Sequence, residues 1–109
     1  MLLAIDVGNT NSKFVVFDGD SIVAQWRLRT EAKRTADEYA AWLTQLMAVQ
    51  GFDPKTITGA ILASVVPPVN QHIRRLCEAY FGNGILIVGE PDCDLGIKLL
   101  VGPPHEGDA

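Results

Sequence analysis

The sequence predicts an α/β fold in which helices pack on a mixed β-sheet. Three early segments, residues 2–5, 12–17 and 22–28, are either continuously apolar or alternate between apolar and polar side chains, as β-strands do. Two helical patterns then alternate with further strands. An opening meander followed by strand–helix alternation is typical of a mixed sheet with helices on it. The length of 109 residues suits one domain.

The first strand and the turn after it carry the clearest functional signal. Residues Leu2 to Ile5 form an apolar run that predicts a strand buried on both faces. Asp6 follows, and a buried carboxylate costs free energy unless it is paired or binds a metal. Gly8 is expected to adopt backbone angles closed to other residues. The next residues are short and polar, so their backbone N–H groups could form an anion site: Asn9, Thr10, Asn11 and Ser12.

Lys13 completes this segment with a positive charge able to contact a phosphate oxygen. The alternative is an ordinary hairpin, in which Asp6 caps the turn and Lys13 is only solvated.

The next hairpin is indicated by the pair Asp18-Gly19, which favours a tight turn between strands. Its second strand should turn one wholly apolar set of side chains to the core: Ile22, Ala24, Trp26 and Leu28.

The first helix should begin at Thr35, whose spacing to Glu38 predicts a capping box, and end at Gly51. Its apolar positions recur at helical spacing, and they indicate core packing rather than a cofactor site: Tyr39, Trp42, Leu43, Leu46 and Met47.

Residues 56–66 predict a buried strand, which ends at Pro67 and Pro68, where a second helix can begin. The apolar face of this helix is predicted to consist of Val69, Ile73, Leu76, Cys77 and Tyr80. Short strands are expected at residues 85–88 and 95–101.

Composition excludes several classes of function. The net charge of -4 argues against a nucleic-acid partner, which needs a basic surface. No apolar stretch reaches the roughly 18 residues of a membrane span, and no signal sequence is evident, so a cytoplasmic protein is the simplest interpretation. Cys77 is expected to be a buried structural thiol, and the carboxylates beside Cys93 should raise the pKa of its thiol and make it less reactive. His72 and His105 lack partners at zinc-ligand spacing.

Several segments, in order, resemble the N-terminal part of type III pantothenate kinases, a family in the superfamily of actin, sugar kinases and heat-shock chaperone ATPases. The segments cover nearly the whole chain: residues 6–11, 26–28, 34–39, 63–67, 80–81 and 94–97. The first motif is shared across the superfamily, whereas the combination is specific. The resemblance implies that residues 1–109 form a ribonuclease-H-like lobe, one of the two lobes of an actin-like ATPase fold.

The resemblance also implies an activity. Members transfer the γ-phosphoryl group of ATP to the primary hydroxyl of pantothenate, giving 4'-phosphopantothenate in the first step of coenzyme A biosynthesis. They use Mg²⁺ and a monovalent cation, K⁺ or NH₄⁺, usually as homodimers. By this resemblance Asp6 would hold the Mg²⁺–phosphate assembly, and Lys13 would assist. The turn that binds the ATP phosphates would consist of Gly8, Asn9, Thr10 and Asn11.

The chain departs from the family pattern near its end. The family has Pro-x-Glu-x-Gly-Ala-Asp-Arg, whereas residues 104–109 lack the arginine and are two residues shorter. The family's aspartate is the proposed general base for the pantothenate hydroxyl, which makes Asp108 the candidate base and Gly107 a candidate substrate contact. The motifs of the second lobe have no counterpart in these 109 residues, so we expect little or no turnover from this chain alone.

Two other interpretations compete with the kinase. One is another sugar-kinase-like phosphotransferase. The other is a non-catalytic accessory or transcription-regulator paralogue, which the missing arginine favours. Ser64 could suggest a nucleophile, but without a Gly-x-Ser-x-Gly elbow we expect a structural hydroxyl at a strand end.

Overall fold

The computed structural model describes residues 1–82 and 85–87. The strands are β1 (Leu2–Val7), β2 (Asn11–Asp18), β3 (Ser21–Arg29), β4 (Gly59–Ser64) and β5 (Ile85–Ile87). The helices are α1 (Ala36–Val49) and α2 (Pro67–Leu76), with a 3₁₀ turn at Pro54–Thr56 and a π-helical turn at Cys77–Phe81. None of the described helices is long and apolar enough to cross a membrane.

The strands form one mixed sheet in the order β3-β2-β1-β4-β5. The first three are antiparallel neighbours, whereas β1, β4 and β5 run parallel. Strand β1 therefore joins the two halves of the sheet, and its carboxyl end lies beside that of β4. The predicted α/β class with a mixed sheet is confirmed, while the strand predicted at residues 95–101 lies outside the described residues.

The core lies between the two helices and one face of the sheet. Phe14 is fully buried there and meets α1 through Tyr39, with ring centroids 6.0 Å apart, and through Trp42, at 5.1 Å in an edge-to-face arrangement. The buried side chains of β1, Leu3, Ile5 and Val7, belong to the same cluster.

The opposite face of the sheet is open within the described residues. On β1, Leu2 and Ala4 are half-buried and Asp6 is exposed. The prediction that β1 is buried on both faces is therefore wrong for the described part, because both α1 and α2 pack on the same side of the sheet. We call the uncovered side the open face.

Strand β3 contains a β-bulge that changes which side chains face the core. Val16 pairs with Ala24 but Phe17 pairs with Ile22, so Val23 has no partner on β2. Ala24 is buried as predicted, whereas Ile22 is 57% exposed. The predicted inward position of Ile22 is wrong because the bulge reverses the alternation at that point.

Helix α1 begins and ends as the sequence predicts. The Thr35 hydroxyl accepts a hydrogen bond from Glu38 N at 3.2 Å, and the Glu38 carboxylate accepts one from Thr35 N at 3.0 Å. These bonds form the capping box, and the pKa of Glu38 is lowered by the bond from Thr35 N and by a further one from the Thr35 hydroxyl to the carboxylate. Gly51 follows the helix with a φ of 84°, a conformation that glycine adopts without a steric penalty.

The second half of the chain differs from the predicted pattern in two places. The strand predicted from residue 56 begins only at Gly59, because Asp53 caps a 3₁₀ turn by accepting a hydrogen bond from Lys55 N. Helix α2 begins at Pro67 as predicted, but the π-helical turn then shifts the side-chain phase. Phe81 is therefore buried and Tyr80, predicted in the core, is exposed.

Candidate functional site

The turn between β1 and β2 lies at the edge where two parallel strands end. Val65 N, just after β4, donates a hydrogen bond to Val7 O at 3.0 Å, which ties the ends of β1 and β4 together. Helix α2 begins at Pro67, two residues later, so its N-terminus lies at this edge as well. Helix N-termini favour negative charge, which makes this edge suited to an anion.

Asp6 and Lys13 lie side by side on the open face next to the turn. They are cross-strand partners in the register of β1 and β2, and Ala63 of β4 flanks Asp6 on its other side. An open cavity of about 220 Å³ lies over this point, lined by Ala4, Ile5, Asp6, Lys13, Val15, Ile61 and Ala63. Asp6 is exposed, and no hydrogen bond or ion pair engages its carboxylate within the described residues. The carboxylate therefore does not cap the turn and is free to bind a ligand.

Two arginines of β3 extend the positive charge of this face. Arg27 is the partner of Lys13, and Arg29 is the partner of Asn11. The sequence alone indicates no more for Arg27 than a surface or interface charge. The pairing of Arg27 with Lys13 follows from the position of the Asp18-Gly19 turn only when the bulge is taken into account. The sequence does not reveal that bulge.

Gly8 has a different role from the predicted one. It does not adopt a positive φ, so the expectation of a conformation closed to other residues is wrong. A Cβ atom at this position would instead lie 3.2 Å from Asn11 O, the atom that accepts a hydrogen bond from Gly8 N at 2.9 Å. Glycine suits this position, because a Cβ atom here would crowd Asn11 O, which would have to move by a few tenths of an ångström.

Two hydroxyl groups hold the turn from the helix-covered side. Thr30 Oγ1 donates a hydrogen bond to Gly8 O at 2.8 Å, and Thr30 N donates one to Thr10 O at 2.9 Å. The Ser12 hydroxyl lies 2.8 Å from Thr30 Oγ1, and Ser12 is 1% exposed. The sequence predicts Ser12 in the turn and at the start of the next strand, but it carries no signal that brings Thr30 to the turn.

Ser64 has the structural role that the sequence predicts. Its hydroxyl donates to Val66 O at 3.1 Å and accepts from Val66 N at 3.0 Å. Both bonds shape the chain between β4 and α2, and they leave the hydroxyl without the base that a nucleophile requires.

The oxygen atoms that this site offers fit a hard cation such as Mg²⁺ that is bound mainly by the phosphate oxygens of a nucleotide and by water. The described residues contain no group of three or more His, Cys, Asp or Glu side chains that could hold a metal ion. Asp6 offers one exposed carboxylate, and Mg²⁺ in nucleotide sites is commonly bound by one or two carboxylates together with phosphate oxygens and water. The candidate residues Gly107 and Asp108 lie outside the described residues.

A family model described as type III pantothenate kinase matches residues 2–107. The chain belongs to the type III pantothenate kinase family. Curated members of the family from Rhodospirillum rubrum, Rhodospirillum centenum and Caulobacter vibrioides are 51%, 50% and 47% identical to it. They match over 97%, 100% and 100% of this chain but 41%, 42% and 41% of their own lengths. The chain thus spans about two fifths of the length of these relatives.

A solved structure supports the same fold at much lower sequence similarity. The Lmo2764 protein of Listeria monocytogenes, a candidate N-acetylmannosamine kinase, matches with a TM-score of 0.52 at 17% identity. The match covers 93% of this chain and 39% of that one. The chain therefore has the fold of one lobe of an actin-like protein.

Proposed function

We propose that this chain forms the phosphate-binding lobe of an enzyme that transfers the γ-phosphoryl group of ATP to the primary hydroxyl of pantothenate. The product would be 4'-phosphopantothenate, and the reaction would be the first step toward coenzyme A. The observation that carries the proposal is the unpaired Asp6 carboxylate beside the polar turn at the edge of the sheet, in a chain of this family.

The turn and its neighbours would bind the ATP phosphates. Phosphoryl transfer depends on positioning and on stabilising charge at the phosphate oxygens. Asp6 would hold Mg²⁺, which neutralises the phosphate charge when bound. Lys13 would contact a phosphate oxygen. The turn would supply backbone N–H donors from Gly8, Asn9, Thr10 and Asn11.

The remaining parts of the proposal follow from the family. Asp108 would act as the general base that removes the proton of the pantothenate hydroxyl, with Gly107 against the substrate. A monovalent cation, K⁺ or NH₄⁺, would assist, and the working enzyme would be a cytoplasmic homodimer. Residues 1–109 would be its N-terminal lobe, and the second lobe would correspond to the part of the curated relatives that these residues do not match.

The test is a phosphorylation assay on a full-length protein that carries residues 1–109, for example a chimera with the remainder of the Rhodospirillum rubrum relative. We expect turnover of ATP and pantothenate, and loss of activity of about 100-fold or more in Asp6→Asn, the scale seen when one preorganised charge is removed. Asp18→Asn is the matched control, because Asp18 is an equally exposed aspartate at the far end of β2.

Each part of the proposal can fail separately in this assay. Turnover with other hydroxyl acceptors but not with pantothenate would overturn the substrate. An Asp6→Asn variant within about threefold of wild type would overturn the role of Asp6.

A further inference from the structure

The hydrogen bonds around Thr30 have only one consistent direction. A hydroxyl group donates one hydrogen bond, and a carbonyl oxygen only accepts. Because Thr30 Oγ1 gives its hydrogen to Gly8 O, the bond between the two hydroxyls must be donated by Ser12. The structure thus contains a chain of bonds from Ser12 through Thr30 to the Gly8 carbonyl.

This chain fixes the peptide plane between Gly8 and Asn9. The peptide bonds of the described residues are trans, so the Asn9 N–H points opposite to the Gly8 carbonyl. With that carbonyl held by Thr30, the Asn9 N–H is directed away from Thr30 and out of the turn. Thr30 N also holds Thr10 O, so one residue anchors both sides of Asn9.

The burial of the network explains why it can hold the turn firmly. Ser12 is 1% exposed, and Thr30 is half-buried. A buried hydroxyl that loses its partner costs free energy, so a satisfied pair resists rotation of the peptide it contacts. The side chains of Asn9 and Thr10 are exposed, so the turn depends on the bonds from Thr30 for its shape.

We propose that Ser12 and Thr30 are positioning residues that orient the Asn9 N–H as a donor for a nucleotide phosphate. This inference rests on the proposed function for the phosphate turn and extends it to two residues that contact no phosphate. Backbone donors fixed in advance bind an anion without a reorganisation cost, which is what an anion site in a turn requires.

The experiment compares Thr30→Val, which keeps the shape and removes the hydroxyl, with Thr30→Ser, which keeps the hydroxyl. Both are made in the full-length chimera, with Ser12→Ala as an independent third variant and Thr58→Val as the control. Thr58 is exposed, and its hydroxyl bonds to Met1 O at the opposite end of β1. Affinity for MgADP and MgATP is measured by calorimetry, and KM for each substrate by the phosphorylation assay.

We expect Thr30→Val to weaken nucleotide affinity about tenfold, as the loss of one hydrogen bond predicts, with KM for pantothenate unchanged. Thr30→Ser should restore most of the affinity, and Ser12→Ala should weaken it by a smaller factor. Measurements are made well below the melting temperature of every variant, so that a general loss of stability does not mimic the effect.

The outcomes separate this inference from the proposed function. Nucleotide affinity of Thr30→Val within about twofold of wild type, even with a lowered melting temperature, would overturn the positioning role. Equal losses in Thr30→Ser and Thr30→Val would also overturn it, because the hydroxyl would then not matter. Tight nucleotide binding without pantothenate turnover would overturn the substrate assignment and leave the positioning role standing.

Discussion

Alkaline pH offers a test of the packing around Cys77, at the junction of α2 and the π-helical turn. The side chain is fully buried, and this burial, with a smaller contribution from Glu78, raises the pKa of the thiol to about 12. The unfolded chain loses this proton near the ordinary pKa of 9.0, whereas the folded chain keeps it. The stability that Cys77 contributes is therefore intact below about pH 9 and is lost as the pH rises toward about 12. Between about pH 8 and about pH 10 the loss should be about 1.4 kcal/mol.

The measurement is urea-induced unfolding at a series of pH values for wild type and for Cys77→Ala. Other titrating groups, including Tyr80, are present in both proteins, so they cancel in the difference between the two pH profiles. The variant also loses packing contacts. This lowers its free energy of unfolding by the same amount at every pH and does not change how that free energy varies with pH. We expect the wild type to lose about 1.4 kcal/mol more than the variant over this range. Parallel profiles would refute the argument, because they would mean that the thiol is ionisable in the folded chain.

Two further predictions concern α1. Leu43→Ala should lower the free energy of unfolding by about 3 kcal/mol, because Leu43 is fully buried, whereas Val49→Ala at a side chain 79% exposed should change it by less than about 0.5 kcal/mol. Equal effects in urea unfolding would contradict the inward face of the helix. Thr35→Ala should cost about 1 kcal/mol through loss of the side-chain cap, and hydrogen exchange should quicken at Glu38 N. Unchanged exchange at that amide would show that the cap is not formed in solution.

The elements that the sequence predicted well are those with local signals. Thr35 and Glu38 are three residues apart and make the predicted capping box. The Asp18-Gly19 pair joins β2 to β3, and Gly19 has the positive φ, 61°, that such a turn favours. Each of these signals depends on neighbours along the chain, so no knowledge of the tertiary structure was needed.

The failures come from irregularities that regular periodicity cannot represent. Ile22 is exposed because one extra residue interrupts the alternation of β3, and Tyr80 is exposed because a π-helical turn shifts the helical phase. Gly8 was expected to use the conformational freedom of glycine, whereas its φ is not positive and its importance is the close approach of Asn11 O. For Ile22 and Tyr80, a single local deviation changed which side of the element the residue occupies.

Some residues of the candidate site could likewise be predicted from the sequence, and others could not. Asp6 and Lys13 were predicted because they flank the turn in sequence, and the register brings them together. Thr30 was missed because 22 residues separate it from Gly8, and a threonine after a strand carries no signal of its own. Only the paired strands of the hairpin bring it to the turn.

The bulge at Val23 limits the lengths that β3 can have. Thr30 lies about 20 Å further along the chain, and the bulge sets the face on which every residue between them lies. Insertion or deletion of a single residue within β3, between Ala24 and Thr30, would turn the Thr30 hydroxyl away from Gly8 O unless a second one compensates. Length variants of this part of β3 should therefore differ by even numbers of residues, or contain a second bulge that restores the alternation.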